Sequence, residues 1–179
     1  KLGHNIIPLK PSLVPLESDY PYVEALQGLS LRNVEATLLA DGKKIAKEFG
    51  EMLFTHFGVS GPIILSLSNV AAKALVEGRE VELDIDLKPA LAREKLDARI
   101  QRDFTQYSRK QLINGMKDLL PQRLIPVVLD MAYLDEEKFI NQVSKEERMR
   151  LLETLKCFVV PITATRPIAE AIVTAGGVD

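Results

Sequence analysis

The sequence predicts an α+β fold in which an antiparallel β-barrel-like subdomain carries an inserted small helical bundle. Alternating apolar and polar residues, typical of strands with one buried face, occur in the first half of the chain and return after Lys156. Between these two parts the apolar residues recur at helical spacing. We therefore expect a β subdomain at residues 1–88 plus 156–179 and a helical subdomain at residues 89–155.

The first elements are extended segments and a hairpin. Residues 13–16 read as extended between prolines, and two strands are expected at residues 31–40 and 43–49. The pair Asp41-Gly42 between them favours a type I′ turn, because both positions of that turn need a positive φ. The sequence therefore predicts a β-hairpin here.

A strand-turn-helix unit follows the hairpin. A short strand at residues 51–55 runs into Gly58-Val59-Ser60-Gly61-Pro62, which is typical of a tight turn. We expect Ser60 to cap the next helix, Pro62 to lie in its first turn, and the helix to reach about Val76.

Residues 81–87 form the next predicted strand, because apolar and acidic side chains alternate there with a period of two. The acidic positions are Glu82, Asp84 and Asp86. Three carboxylates on one strand face could attract a hard cation, although a solvated strand face is the commoner meaning.

The helical block has room for three or four helices. Two capping-box patterns, Ser108 with Gln111 and Ser144 with Glu147, indicate helix starts, and Pro121 indicates a break. Its charges are balanced and interleaved with apolar stripes, which is typical of the exterior of a small bundle. Strand character returns at residues 158–165 and 171–174.

Composition limits the classes of function and compartment. The net charge of −2, from 23 basic and 25 acidic residues, gives no electrostatic argument for a nucleic acid or an anionic membrane as partner. The single cysteine, Cys157, reads as a small buried side chain, excludes an internal disulfide framework and fits a reducing cytoplasm. No apolar run approaches the roughly 20 residues of a membrane-spanning helix. We expect a soluble, cytoplasmic protein.

Two common site types are missing from the sequence. It contains neither G-x-G-x-x-G nor a G-x-x-x-x-G-K-[ST] phosphate loop, so this chain is not expected to bind a dinucleotide by itself. The two histidines, His4 and His56, are far apart and no cysteine is paired, so no metal site is expected.

The densest set of candidate site residues is the segment 54–62. It places a hydroxyl, an imidazole and free backbone N–H groups at the start of a helix, where an anion or a carbonyl oxygen can be held. The candidates facing a substrate or another ligand are Thr55, His56, Gly58, Ser60 and Gly61. The alternative is a purely structural turn in which Ser60 caps the helix and His56 packs between phenylalanines. A hydrolase pair of His56 and Ser60 is a further alternative, but no orienting acid stands at a recognisable spacing.

Two further features lie near the end of the chain. Arg166, between two predicted strands, could clamp a carboxylate, although an arginine in a turn is more often a hydrogen-bonded corner. The final stretch, Thr174-Ala175-Gly176-Gly177-Val178, is rich in glycine, which suits close approach to a cofactor or another segment. We interpret both chain ends as cuts through a longer polypeptide.

The chain also resembles the YhiN/BaiN-like FAD-dependent flavoproteins. Six segments look like landmarks of that family and occur in its order: residues 1–8, 11–16, 26–30, 50–62, 120–124 and 174–178. The segments 50–62 and 174–178 are the most specific of them. Asn5 is a departure, because the family more often has Thr there.

The resemblance implies a polypeptide of three parts, namely a split Rossmann-like FAD domain, a β-barrel insert and a helical lobe within that insert. This chain resembles only the inserts, so we expect it to cap the substrate side of an oxidoreductase and to be inactive alone. FAD belongs to the full-length protein, with NAD(P)H as a candidate electron donor. The expected partners are the FAD domain and a small-molecule substrate, and neither nucleic acid nor membrane. The alternative is a stand-alone binding module derived from such an insert.

The resemblance also implies roles for individual residues. Thr55, His56, Ser60 and Gly61 are expected to approach the flavin or the substrate, whereas residues 174–178 lead back to the cofactor domain. Neither the substrate nor the electron partner follows from the resemblance.

Overall fold

The computed structural model describes residues 6–178 and divides into two compact units. The first unit comprises residues 6–84 and 159–178 of the described chain, and the second is Ile85–Phe158. The segment 1–5, with His4 and Asn5, and Asp179 lie outside the described residues.

The described residues form a mixed α+β fold, as predicted. The strands are β1 (Ile6–Ser12), β2 (Leu16–Glu17), β3 (Ser30–Ala40), β4 (Lys43–Phe54), β5 (Gly58–Ser60), β6 (Val81–Asp86), β7 (Phe158–Ile162), β8 (Ala164–Thr165) and β9 (Val173–Val178). The α-helices are α1 (Tyr22–Ala25), α2 (Pro62–Val76), α3 (Arg93–Gln106), α4 (Leu112–Gly115), α5 (Ile125–Met131) and α6 (Lys145–Lys156). Short 3-10 helices occur at Ile140–Gln142 and Ile168–Glu170. The division between the units falls within β6 and β7.

Two sheets contain the strands of the described chain. One has the order β7-β6-β3-β4-β5-β2-β8, and the other is the antiparallel pair β1-β9. The pairings β3–β4, β4–β5, β2–β5 and β2–β8 are all antiparallel.

The predicted hairpin is confirmed and is longer than expected. Asp41 and Gly42 have φ values of 50° and 72°, as a type I′ turn requires, and Ala40 pairs with Lys43. The second strand does not stop at residue 49, because β4 continues through Gly50 to Phe54. The prediction of two separate strands there was wrong. Gly50, with φ 154°, stays within the strand and pairs with Val34.

The expected extended segment at residues 13–16 is also wrong. Leu13 has φ 51°, a left-handed conformation that interrupts the chain between β1 and β2. The Val14 N–H donates to the Oγ of Ser68 over 3.1 Å, so the interruption is held by a buried hydroxyl. Only Leu16 of this segment pairs as a strand residue, with Val59 and Thr165 on either side.

Helix α2 packs against the strands of the first unit through one apolar face. Ile64, Leu67 and Ala71 are completely or almost completely buried at the i, i+3, i+7 spacing of that face. Burial of each large aliphatic side chain contributes about 1.5–3 kcal/mol. The helix begins at Pro62 and ends at Val76, as predicted.

The second unit is helical except at its ends. Leu96 and Ile100 of α3 are fully buried, as are Leu151 and Leu155 of α6, and the two helices are in contact. Among the described residues, no helix has both the length and the apolar character needed to span a bilayer.

One of the two predicted capping boxes is present. Ser144 accepts from the Glu147 N–H over 3.1 Å, and the Glu147 carboxylate accepts from the Ser144 N–H over 2.8 Å. The box predicted at Ser108 was wrong, because α4 begins at Leu112 and its N-cap, Gln111, makes no side-chain cap bond.

Candidate functional site

The segment with most of the predicted site residues is the tight turn between β4 and β5. The Thr55 N–H donates to the Gly58 carbonyl over 2.9 Å, and the Gly58 N–H donates to Thr55 Oγ1 over 3.1 Å. These bonds close the turn and leave His56 and Phe57 at its tip. His56 is exposed, and its ring meets the Phe57 ring edge-on with centroids 5.0 Å apart. We call His56 and Phe57 the hairpin tip.

Gly58 and Gly61 are glycines because neighbouring backbone takes the space of a side chain. A Cβ on Gly58 would lie 2.1 Å from the Leu16 carbonyl oxygen, and one on Gly61 would lie 2.9 Å from Met52 Cα. Gly61 also has φ 95°, which an L side chain rarely adopts. Both positions therefore allow close contact between strands of this chain rather than room for a ligand.

Arg166 links the hairpin tip to two acidic residues of the same unit. Its guanidinium donates to Glu170 at 2.9 and 2.6 Å and to Glu17 at 2.9 Å. It also lies over the Phe57 ring, 4.5 Å from the centroid. The arginine therefore joins β2, the Ile168–Glu170 turn and the hairpin tip, which is the hydrogen-bonded corner considered from sequence.

These contacts shift the pKa values of Arg166 and Glu170. The hydrogen bonds to Glu170 and Glu17 raise the pKa of Arg166, so it remains a cation at any accessible pH. The bond from Arg166 is the largest cause that lowers the pKa of Glu170, and the nearby His56 lowers it further. Glu170 is therefore an anion beside His56 near neutral pH. A substrate carboxylate would have to displace Glu17 or Glu170 to be clamped by Arg166.

Ser60 does not cap α2, so that prediction was wrong. The N-cap residue is Gly61, which offers no side-chain bond, because the chain needs a left-handed residue where β5 turns into the helix. Ser60 pairs with Leu53 through its backbone, but across residues 6–178 its hydroxyl forms no hydrogen bond, to His56 or to any other group. The hydrolase alternative therefore gains no support from the geometry.

The predicted junction residues form one strand of the β1-β9 ribbon, the two-stranded sheet Ile6–Ser12 with Val173–Val178. Thr174 pairs with Pro11 and Gly177 pairs with Ile7. A Cβ on Gly176 would lie 2.5 Å from the Pro8 carbonyl oxygen, whereas Gly177 has open space beside it. Four large apolar side chains on or beside the ribbon are 48–68% exposed: Ile7, Leu9, Ile172 and Val173.

The acidic residues of β6 have different surroundings. In the second unit, Asp86 lies 2.5 Å from Lys156 Nζ and accepts from the Lys88 N–H over 2.9 Å. In the first unit, Oδ1 of Asp84 is buried and has no hydrogen-bond partner among the described residues. Within that part of the chain, no group of three or more His, Cys, Asp and Glu residues is arranged to hold a metal ion.

Cys157 is exposed, so its prediction as a buried side chain was wrong. It is the C-cap residue of α6, and its N–H donates to the Glu153 carbonyl over 2.8 Å. A residue that ends a helix lies outside the strand alternation from which its burial was inferred.

Sequence reasoning missed a feature of the second unit. An open depression of about 670 Å³ is lined by basic and amide side chains and one phenylalanine. We call it the basic depression, and its residues are Arg109, Lys110, Gln111, Asn114, Lys117 and Phe139. A sequence signal existed, because no Asp or Glu occurs between Asp103 and Asp118.

Comparisons with known proteins agree with this architecture. Residues 10–173 match the family model of the HI0933-like protein barrel and H2TH domain. The chain is 25% identical over 179 residues to a 3-dehydro-bile acid delta(4,6)-reductase of Clostridium scindens, covering 99% of this chain and 43% of that protein. Two ribosomal RNA dihydrouridine synthases align with all of this chain. The Escherichia coli protein is 26% identical with 42% of its length covered, and the Haemophilus influenzae protein is 29% identical with 41% covered. The chain thus spans less than half of the length of these relatives.

Proposed function

Because the chain belongs to the HI0933-like protein barrel and H2TH domain family, we propose that it is the substrate-side cap region of a FAD-dependent oxidoreductase. The observation that carries the proposal is its alignment, over all or nearly all of its length, with part of proteins named for reductions. We infer FAD as the cofactor from the resemblance of residues 50–62 and 174–178 to segments of the flavoproteins. We place the whole protein in the cytoplasm, with NAD(P)H as electron donor.

The reaction class follows from the names of the relatives. One relative is named as a delta(4,6)-reductase and another as a dihydrouridine synthase, and we propose that this protein likewise adds hydrogen across a carbon–carbon double bond. When bound and reduced by NAD(P)H, the flavin would supply the hydride for such a reduction, and the protein would orient the substrate, exclude water and deliver a proton. The substrate is accordingly an unsaturated carbonyl compound, either a small molecule or a uracil base in RNA.

The described residues do not fit FAD by themselves. The space beside Gly58 is occupied by the backbone of Leu16, and the space beside Gly61 by the backbone of Met52. These glycines therefore leave no room for a pyrophosphate. We therefore assign FAD binding to the part of the polypeptide that the relatives have in addition to this region.

Within the cap, the hairpin tip is the part that we assign to the substrate. His56 is exposed, and the Phe57 ring beside it lies under the Arg166 guanidinium. The Glu170 carboxylate, whose pKa is lowered mainly by Arg166, is a neighbouring anion of His56. His56 thus has the position and the electrostatic surroundings to hydrogen-bond a substrate carbonyl or to deliver a proton beside it.

The β1-β9 ribbon is the part that we assign to docking on the FAD domain. Its exposed apolar side chains would be covered by a neighbouring domain, because such groups are stabilised by removal from water. The ribbon also contains residues 174–178, which resemble the segment of the YhiN/BaiN-like flavoproteins that leads back to the cofactor domain. A stand-alone binding module would leave this ribbon exposed.

The test uses the intact flavoprotein and a His56→Gln substitution. We expect turnover to fall by about 100-fold, because general acid–base catalysis contributes about 10²–10⁴. Lys44→Gln, an exposed change beside the other hairpin turn, is the matched control and should leave turnover unchanged. A His56→Gln enzyme with normal turnover and a normal flavin spectrum would remove His56 from the site.

A further inference from the structure

We infer that Arg166 is a positioning residue, which holds the Phe57 ring in place and thereby fixes the direction of the His56 imidazole. The inference deepens the proposed function, and it rests on that function only for what His56 does to a ligand. The contacts that carry it all lie within the first unit.

The hairpin tip presents an imidazole whose direction depends on its neighbour. His56 is exposed, and its imidazole forms no hydrogen bond with the rest of residues 6–178. Its ring contacts the Phe57 ring edge-on, with centroids 5.0 Å apart. The ring nitrogens are therefore available to a ligand. A ligand that had to order a loose side chain would lose affinity, so a binding group is most effective when it is held beforehand.

The backbone and the ring of Phe57 are held by different groups. The Phe57 carbonyl accepts a hydrogen bond from the Ser18 N–H over 2.9 Å, which ties the turn to the chain just after β2. A backbone bond does not fix the side-chain torsions, which choose among staggered rotamers. The Arg166 guanidinium lies over the ring, 4.5 Å from its centroid, and so holds the surface against which His56 packs.

Arg166 is itself held through both its backbone and its side chain. Its N–H donates to the Pro15 carbonyl over 3.0 Å, and its Nη1 donates to Glu17 over 2.9 Å. Its Nε and Nη2 donate to the two carboxylate oxygens of Glu170 at 2.9 and 2.6 Å. Two parallel bonds to one carboxylate fix the plane of the guanidinium as well as its position. Lysine would keep the charge but has no plane to lie over the ring.

This arrangement differs from an ordinary surface ion pair of the same unit. Arg32 and Glu51 are 3.5 Å apart, and their side chains are 76% and 56% exposed. Such pairs contribute little, because solvent screens the charges and two flexible side chains must be ordered. The Arg166 side chain is 26% exposed and meets two carboxylates and a ring. That set of contacts determines an orientation, which a single exposed ion pair does not.

The experiment measures the mobility of the His56 imidazole by NMR relaxation in the intact protein. Histidine labelled with ¹³C at the ring Cε1 keeps the spectrum sparse, and the signal that is lost in His56→Gln identifies His56. Exposed side chains change rotamer within picoseconds to nanoseconds, so a released imidazole has a low order parameter. We expect Arg166→Gln and Phe57→Ala each to lower the order parameter of His56 at least about twofold.

Two further variants separate positioning from a general effect on the fold. Arg32→Gln is the matched control, because it removes an arginine from an exposed ion pair of the same unit, and it should leave the order parameter unchanged. Arg166→Lys should give a value between those of the unsubstituted protein and Arg166→Gln, since the charge remains but the planar fork is lost. Thermal unfolding verifies that each variant is folded at the temperature of the measurement.

An unchanged order parameter of His56 in folded Arg166→Gln would overturn the inference and leave Arg166 with a purely structural role. Equal release of His56 in Arg32→Gln, or an imidazole that is already mobile in the unsubstituted protein, would overturn it as well. Because no turnover is measured, the two proposals fail separately. A His56→Gln enzyme with normal turnover would refute the role of His56 in the proposed function, whatever the order parameters are.

Discussion

Replacement of Gly58 by alanine is the sharpest test of how the hairpin segment is held. The added Cβ would lie 2.1 Å from the Leu16 carbonyl oxygen and 2.9 Å from Glu17 Cα, both of which are backbone atoms. The φ of Gly58 is not in the left-handed region, so the full cost is steric. Overpacking typically costs about 1–3 kcal/mol, and we expect about 3 kcal/mol because no flexible side chain can yield.

The assay is thermal unfolding followed by circular dichroism. For a chain of this size, 1 kcal/mol corresponds to about 2–4 °C in Tm, so Gly58→Ala should lower Tm by roughly 6–12 °C. The matched control is Gly78→Ala, where φ is 74° and nothing lies within 4 Å of the added Cβ. Its cost is conformational only, about 1–2 kcal/mol. A Gly58→Ala protein as stable as the Gly78→Ala protein would refute the close-contact explanation.

Two further predictions concern the capping box and the arginine cluster. Ser144→Ala removes the capping box and should lower the free energy of unfolding by about 1 kcal/mol, whereas Ser108→Ala should change it by less than about 0.5 kcal/mol in chemical denaturation. The lowered pKa of Glu170 means that its ion pair stabilises the fold above the ordinary pKa of 4.5 and is lost as pH falls through the lower folded-state value. An NMR titration should show that lowered pKa and its return toward 4.5 in Arg166→Gln; an unchanged value in the variant would contradict the assigned cause.

The sequence predicted those elements whose signal is local. The type I′ turn at Asp41-Gly42, the helix from Pro62 and the box at Ser144 each depend on a few adjacent residues, and each is present. The alternation that predicted β6 is likewise a local pattern, because residues two apart share a face.

The errors arise where distant segments decide the conformation. Leu13 is left-handed beside Val14, whose N–H donates to the Oγ of Ser68, a residue far along the chain. Gly58 and Gly61 look like ligand-binding glycines in sequence, but Leu16 and Met52 backbone fills their space. No local pattern contains such contacts.

The candidate site shows the same division. The sequence identified His56 and Arg166 as candidates, but the pairing of Arg166 with Glu17 and Glu170 joins residues that are far apart in the chain. The basic depression was missed because Phe139 and Lys110 are brought together only by the backbone bonds between their segments.

We propose above all that this region belongs to a FAD-dependent enzyme whose cofactor is held by other residues of the polypeptide. The visible absorption spectrum of the purified intact protein, recorded beside that of this 179-residue chain with added FAD, tests it most directly. We expect oxidised-flavin bands from FAD that co-purifies with the intact protein and is released on denaturation, and no bound flavin on the chain alone. A colourless intact protein that does not take up FAD, or stoichiometric FAD binding by the chain alone, would contradict it.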